Sequence, residues 1–219
     1  MLTPHLKTLP PPQRALWDEL TAIPKDFVLY GGTALALHLG HRISEDFDFF
    51  SNRDFLPDAL EREIPFLAGA ARLQSSPNTL VSGVYRGGPV KVSFFGGLSL
   101  RRIREPQTAE GNGILVASPL DLAATKVKVV QDRAEAKDYV DIARLLEEGI
   151  DLAEALGAAR AVYGPSFNPL LSLKALCYFA DGDLRTLPAS VQSHLVAAVE
   201  RVDPSRLPEL QALSGGLMP

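Results

Sequence analysis

The chain has 219 residues, 46% of them hydrophobic and 22% charged, with a formal net charge of −4; this is the make-up of an ordinary globule, long enough to bury a core in one large domain or two lobes. The negative balance excludes a global attraction to nucleic acid, so any RNA contact requires a local basic patch. The single cysteine, Cys177, excludes an intramolecular disulfide and a cysteine-based zinc site. No run approaches the ~20 apolar residues needed to span a bilayer, and without an apolar leader segment the expected location is the cytoplasm, with no membrane partner.

Pro10-Pro11-Pro12 precedes an expected helix over Gln13–Ala22, with Leu16, Trp17 and Leu20 on one face. Trp17 reads as part of that core face rather than as a platform for a nucleobase. Pro24 separates the helix from a short apolar run, Phe27 to Tyr30, that suits a buried strand. Gly31-Gly32 then makes a tight turn that lets backbone N–H groups approach a ligand closely. Thr33 is expected to cap a helix over Ala34–Leu39, and Gly40 to end it.

Asp46-Phe47-Asp48-Phe49-Phe50 alternates acid and aromatic. A period of two puts both carboxylates on one strand face, with Phe47 and Phe49 on the other. Two neighbouring aspartates repel each other, and a positive partner must offset that repulsion. Oxygen ligands at this spacing suit Mg²⁺ before Zn²⁺, in sites that pair one or two carboxylates with substrate phosphates. A glycine turn opening onto a helix N-terminus is a phosphate-binding arrangement. Asp-x-Asp alone also fits a solvated strand edge, and Gly-Gly alone a plain turn; the two in this order are far more specific.

The stretch resembles the opening motif of the polymerase-β-type nucleotidyltransferases and, more narrowly, the AbiEii/AbiGii toxin family. The matching residues are Gly31 to Leu35, then Arg42, Ser44, Asp46 and Asp48. The resemblance implies Mg²⁺-dependent transfer of NMP from an NTP. Asp46 and Asp48 would be catalytic metal ligands, and Gly31, Gly32, Thr33 and Ser44 nucleotide-binding residues.

Residues 56–70 read as a helix, and Thr79–Phe95 as a hairpin turning at Gly87-Gly88-Pro89. In its second arm Val90, Val92 and Phe94 share one face, and Lys91, Ser93 and Phe95 the other. Related enzymes often place a third carboxylate on such a neighbouring strand. Ser93 stands at that position and is a poor metal ligand, which leaves one or two metals open. Arg101, Arg102 and Arg104 form a basic cluster in a connector, read as a solvated loop or as a contact for RNA phosphates.

Residues 117–149 hold the second informative stretch. Ser118, Pro119 and Asp121 fit the N-cap, first and third positions of a helix over 119–131. On it Lys126 falls in line with Leu122, Val129, Val130 and Arg133, on the inward stripe, whereas Lys128 groups with Asp121, Thr125 and Asp132 on a solvent face. A lysine on an inward stripe requires an anionic partner or snorkels at its edge. On a second helix, Ala136–Glu148, Asp138 and Asp141 continue the stripe of Ile142, Leu145 and Leu146, at the end where the helix dipole favours acids. Asp121, Lys126, Arg133, Lys137, Asp138 and Asp141 match the family's later motifs. The resemblance implies that Lys126 contacts nucleotide phosphate, that Asp138 helps build the active site, and that Arg133 and Asp141 belong to the nucleotide site.

Further helices are expected at Leu152–Val162, Pro169–Ala180 and Pro188–Val202, with Cys177, Tyr163, Phe167 and Tyr178 in the core. The expected fold is α+β: a nucleotidyltransferase core with a small mixed sheet over 1–110, then a helical lobe over 111–219 that completes the active-site cleft. Three functions remain open. They are a toxin of a toxin–antitoxin or phage-defence pair acting on RNA such as tRNA, with a cognate antitoxin protein; a nucleotidyltransferase acting on a small molecule or protein; and a non-catalytic nucleotide-binding module.

Overall fold

The computed structural model describes residues 1–217. The chain divides into two compact units. The first comprises Met1–Leu100, Glu105–Ser118 and residues 215–217; the second comprises Arg101–Arg104 and Pro119–Ser214. The first is an α+β unit with a mixed sheet and the second is helical, the fold class read from the sequence.

In the first unit, α1 (Pro11–Leu16) is shorter than expected and tightens into a 3-10 helix over Trp17–Ala22. Leu16, Trp17 and Leu20 are all buried, so Trp17 is core, as its spacing indicated. β1 (Val28–Tyr30) leads directly into α2 (Gly31–Leu39), which Gly40 ends in the left-handed conformation. β2 (Asp46–Phe50) follows. The helix expected over 56–70 is instead α3 (Pro57–Glu63), a 3-10 turn at Pro65–Leu67, and then β3 (Ala71–Ser76). Pro65 accounts for the break, because its ring removes an N–H and clashes with the preceding helical turn. β4 (Thr79–Tyr85) and β5 (Pro89–Phe95) are the expected hairpin. Two-residue strands, β6 (Gln107–Thr108) and β7 (Leu115–Val116), complete the sheet.

The seven strands run in the order β3-β4-β5-β2-β1-β7-β6. β2 lies at the centre, antiparallel to β1 and parallel to β5. Its burial alternates as the acid–aromatic pattern requires: Phe47 and Phe49 are fully buried, and Asp46 and Asp48 are not. Phe49 stacks on Phe94 at 5.5 Å, and Phe27 meets Phe94 edge-on at 5.3 Å. Full burial of a phenylalanine is worth roughly 1.5–3 kcal/mol, so this aromatic layer fixes which face of β2 carries the acids.

In the second unit, α4 (Pro119–Val129) packs against α5 (Ala136–Glu147) and α6 (Leu152–Tyr163). Asp151 caps α6, its carboxylate accepting from the Ala153 and Glu154 N–H groups. α7 (Pro169–Ala175) and α8 (Ala189–Glu200) follow. Because α7 stops at Ala175, Cys177 and Tyr178 lie beyond its packed face and are exposed, contrary to the core expected of them. Phe167 is buried, as anticipated. Among the described residues, no helix is long and apolar enough to cross a membrane.

Candidate functional site

The first candidate site is the polar face of β2. Asp48 pairs in register with Tyr30 of β1 on one side and with Ser93 of β5 on the other, while Asp46 pairs with Lys91. The glycine turn adjoins this face. Gly31 has φ +75°, a conformation that glycine adopts without strain. A Cβ there would stand 3.0 Å from Asp48 Oδ2, so the turn and that carboxylate are immediate neighbours. A Cβ on Gly32 would run into the Arg42 guanidinium and come within 3.1 Å of Ser44 Oγ. Gly31 is thus set by its backbone conformation, and both glycines lie against residues of the motif.

Thr33 does not cap the helix. α2 begins at Gly31, with Tyr30 at the N-cap position and no side-chain capping bond. The buried Thr33 hydroxyl instead donates to the Asp46 carbonyl and lies 2.9 Å from Ser44 Oγ. It ties the head of α2 to the start of β2. The positive end of the helix dipole at Gly31 lies beside the Asp48 carboxylate, and a helix N-terminus favours an anion.

Ser93 stands beside Asp48 and is buried. Among the described residues, no group of three or more His, Cys, Asp or Glu side chains is placed to hold a metal. Two carboxylates on one strand face nevertheless suit Mg²⁺, which commonly takes one or two protein carboxylates and completes its shell with water and phosphate oxygens. The donor set therefore fits a metal that substrate helps to hold. Sequence reasoning placed Lys91 on this face but gave it no role. Its Nζ lies 2.9 Å from Asp46 Oδ2. It supplies positive charge to the acid pair, and the hydrogen bond to Asp46 pushes the ammonium's pKa up.

The second candidate site lies within the helical unit. Lys126 is only 5% exposed, and its Nζ lies 2.5 Å from Asp138 Oδ1 and 2.6 Å from Asp141 Oδ2. Both carboxylates are fully buried. Arg133 Nε donates to Asp138 Oδ2 at 2.8 Å, and Arg133 Nη2 to Asp138 Oδ1 at 3.2 Å. Burial pushes the Asp138 carboxyl up, but the Arg133 hydrogen bonds and the Lys126 charge outweigh it and hold the group below its ordinary value. Two cations and two carboxylates balance, which is how buried charges are retained. Asp138 is therefore an ion-pair partner and not merely a helix cap: Glu135 occupies the N-cap position of α5. On its other side Arg133 lines a cavity of about 390 Å³, together with Tyr139, Lys174 and Tyr178.

The inward and outward lysines separate as their helical spacing indicated. Lys128 instead makes an i,i+4 pair with Asp132 at 2.6 Å. Asp121 does not share that solvent face. It is buried, and its carboxylate accepts from the Ile103 N–H at 2.6 Å and the Arg104 N–H at 3.1 Å. Arg102 is likewise buried rather than solvated, and its carbonyl accepts from the Leu213 N–H. The helical pattern could not show this, because the partners of Asp121 are backbone groups of a distant loop.

Residues 14–212 match the family profile described as nucleotidyl transferase AbiEii toxin, type IV toxin–antitoxin system. An uncharacterized protein of Aquifex aeolicus (strain VF5), aq_aa25, is 32% identical over 162 residues, which cover 73% of this chain and 76% of that protein. In fold, the chain is similar to a crystal structure of a candidate nucleotidyltransferase from H. pylori. The TM-score is 0.56 at 20% identity, over 90% of this chain and 92% of the other.

Proposed function

The chain belongs to the AbiEii nucleotidyltransferase toxin family, and from that premise we propose that it is a Mg²⁺-dependent enzyme transferring NMP from an NTP to an acceptor hydroxyl, with release of pyrophosphate. The observation that carries this reading is the adjacency of Gly31 to the Asp48 carboxylate, on the face where Asp46 and Asp48 alternate. A phosphate-accepting turn and a pair of hard oxygen donors stand side by side.

In this reading Asp46 and Asp48 hold Mg²⁺, and one of them also orients the acceptor oxygen. The metal, when bound, supplies charge neutralisation for the phosphates. Gly31, Gly32 and Thr33 receive the phosphates through backbone N–H groups, since the Thr33 hydroxyl is already engaged with Asp46. Ser44, hydrogen-bonded into the same corner, keeps the turn in register with β2. By resemblance to the family's motifs, we assign Lys126, held by Asp138 and Asp141, and Arg133 to nucleotide binding as well. Catalysis of this kind rests on positioning and charge stabilisation more than on covalent chemistry by the protein.

The family description supports a toxin of a toxin–antitoxin pair. We infer an RNA acceptor such as tRNA, and a cognate antitoxin protein as partner. Incubation with each labelled NTP, Mg²⁺, total cellular RNA and total protein tests the acceptor. Label is expected in a small RNA band; label in protein or in small molecules would replace that acceptor. Ser93 at the place of a third carboxylate favours a second reading, a nucleotide-binding module without turnover. Its mark in the same experiment is NTP binding with no labelled product.

A further inference from the structure

Lys91 has no part in the motif or in the proposed reaction, yet it stands on the carboxylate face. In the parallel register of β2 and β5 it lies beside Asp46, one same-face position from the Asp48–Ser93 pair. Its ammonium is 2.9 Å from Asp46 Oδ2, and the two side chains are 45% and 42% exposed. An ammonium and a divalent cation on one carboxylate repel each other strongly at such range. On its other side Lys91 pairs with Gly83 of β4, which presents no side chain on this face. The nearest atoms to a Cβ at Gly83 belong to the Leu73 and Ala71 side chains, at the ordinary contact distances of 3.7 and 3.8 Å. With its side chain 45% exposed, Lys91 can swing away from Asp46 into solvent without unpacking the sheet.

We propose that Lys91 is a tethered counter-ion that occupies Asp46 in the metal-free protein, competes with the metal for that carboxylate and, once displaced, turns to an anionic oxygen of the nucleotide. The inference rests on the metal-binding reading of Asp46 and Asp48. It makes metal binding weak alone and stronger with nucleotide, because the displaced ammonium then finds a phosphate. Lys91 is thus a positioning residue that couples the arrival of metal to that of substrate.

The test is Mn²⁺ titration of the full chain, followed by electron paramagnetic resonance, with and without a non-hydrolysable NTP analogue. Lys91→Gln, Asp48→Asn and the unaltered protein are compared. Exposed ion pairs contribute modestly, so without nucleotide Lys91→Gln should bind Mn²⁺ about two- to fivefold more tightly, and the gain in affinity brought by the analogue should shrink. Unchanged or weaker Mn²⁺ binding by Lys91→Gln, with binding lost in Asp48→Asn, overturns the role of Lys91 and leaves the metal site standing. Mn²⁺ binding by Asp48→Asn equal to that of the unaltered protein overturns the metal site, and the role of Lys91 with it.

Discussion

Asp138→Asn is the substitution that asks most of the helical unit. The side chain keeps its shape and loses its charge. Asp138 is fully buried and accepts from Lys126 and from two nitrogens of Arg133. The asparagine amide can accept on one oxygen only, and its NH₂ group would face a cation. Lys126 would retain Asp141 at 2.6 Å, and Arg133, 45% exposed, would keep Glu135 at 3.5 Å and water. The cost is then that of a lost charge-assisted bond in a buried place, roughly 1.5–3 kcal/mol, below the penalty for a stranded buried charge. At about 2–4 °C per kcal/mol for a chain of this size, the melting temperature should fall by roughly 3–12 °C. Helix capping alone predicts almost no change, because Asn caps about as well as Asp. Calorimetry of the two proteins near neutral pH decides. A melting temperature within 2 °C of the unaltered protein would refute the buried-pair reasoning. Turnover measured well below the lowered midpoint then separates lost stability from lost function, and activity is expected to be lost as well.

Further outcomes follow from the same contacts. Lys126→Ala leaves Asp138 and Asp141 buried without their shared ammonium, so it should lower the melting temperature by more than Asp138→Asn does and, assayed well below that midpoint, weaken NTP binding or turnover at least about tenfold; Lys128→Ala, which breaks the pair with Asp132, should do neither, and equal effects in a kinetic comparison would refute a nucleotide role for Lys126. Gly31→Ala forces a side chain into a left-handed backbone 3.0 Å from Asp48 Oδ2. It should cost about 1–2 kcal/mol from the backbone alone, seen as a lower urea midpoint, and should weaken metal binding. The folded-state pKa of Asp138 is lowered from the ordinary value of 3.8, so its stabilising contribution is present above that pH and is lost as the pH falls through the folded value. Acid unfolding should therefore steepen below about pH 4, and Asp138→Asn should flatten that limb.

The parts of the fold legible in the sequence are those where one face is buried and the other is not. Asp46 to Phe50 announces itself by strict alternation, and Lys126 by its place on the apolar stripe of α4. β3 gave no such signal. All six of its residues are exposed at the sheet edge, so nothing in Ala71 to Ser76 alternates between core and solvent. Asp121 was misplaced on a solvent face because a carboxylate that satisfies backbone N–H groups from a distant loop cannot be told from a solvated one by helical spacing. Lys91 was legible as a face position, but its bond to Asp46 depends on the parallel register of β2 and β5, which no local pattern encodes. The pairing of Asp138 with both Lys126 and Arg133 likewise needs the packing of α4 against α5.

The central claim is that Asp46 and Asp48 hold the metal for nucleotidyl transfer, and pyrophosphate release by Asp48→Ala tests it most directly. Asp48 is partly exposed on the strand face opposite the aromatic core, so the variant should fold, with a circular dichroism spectrum and melting temperature close to those of the unaltered chain. With acceptor RNA, NTP and Mg²⁺ present, the unaltered protein is expected to release pyrophosphate and Asp48→Ala to release none. Unchanged Mg²⁺-dependent release by a folded Asp48→Ala protein would contradict the account.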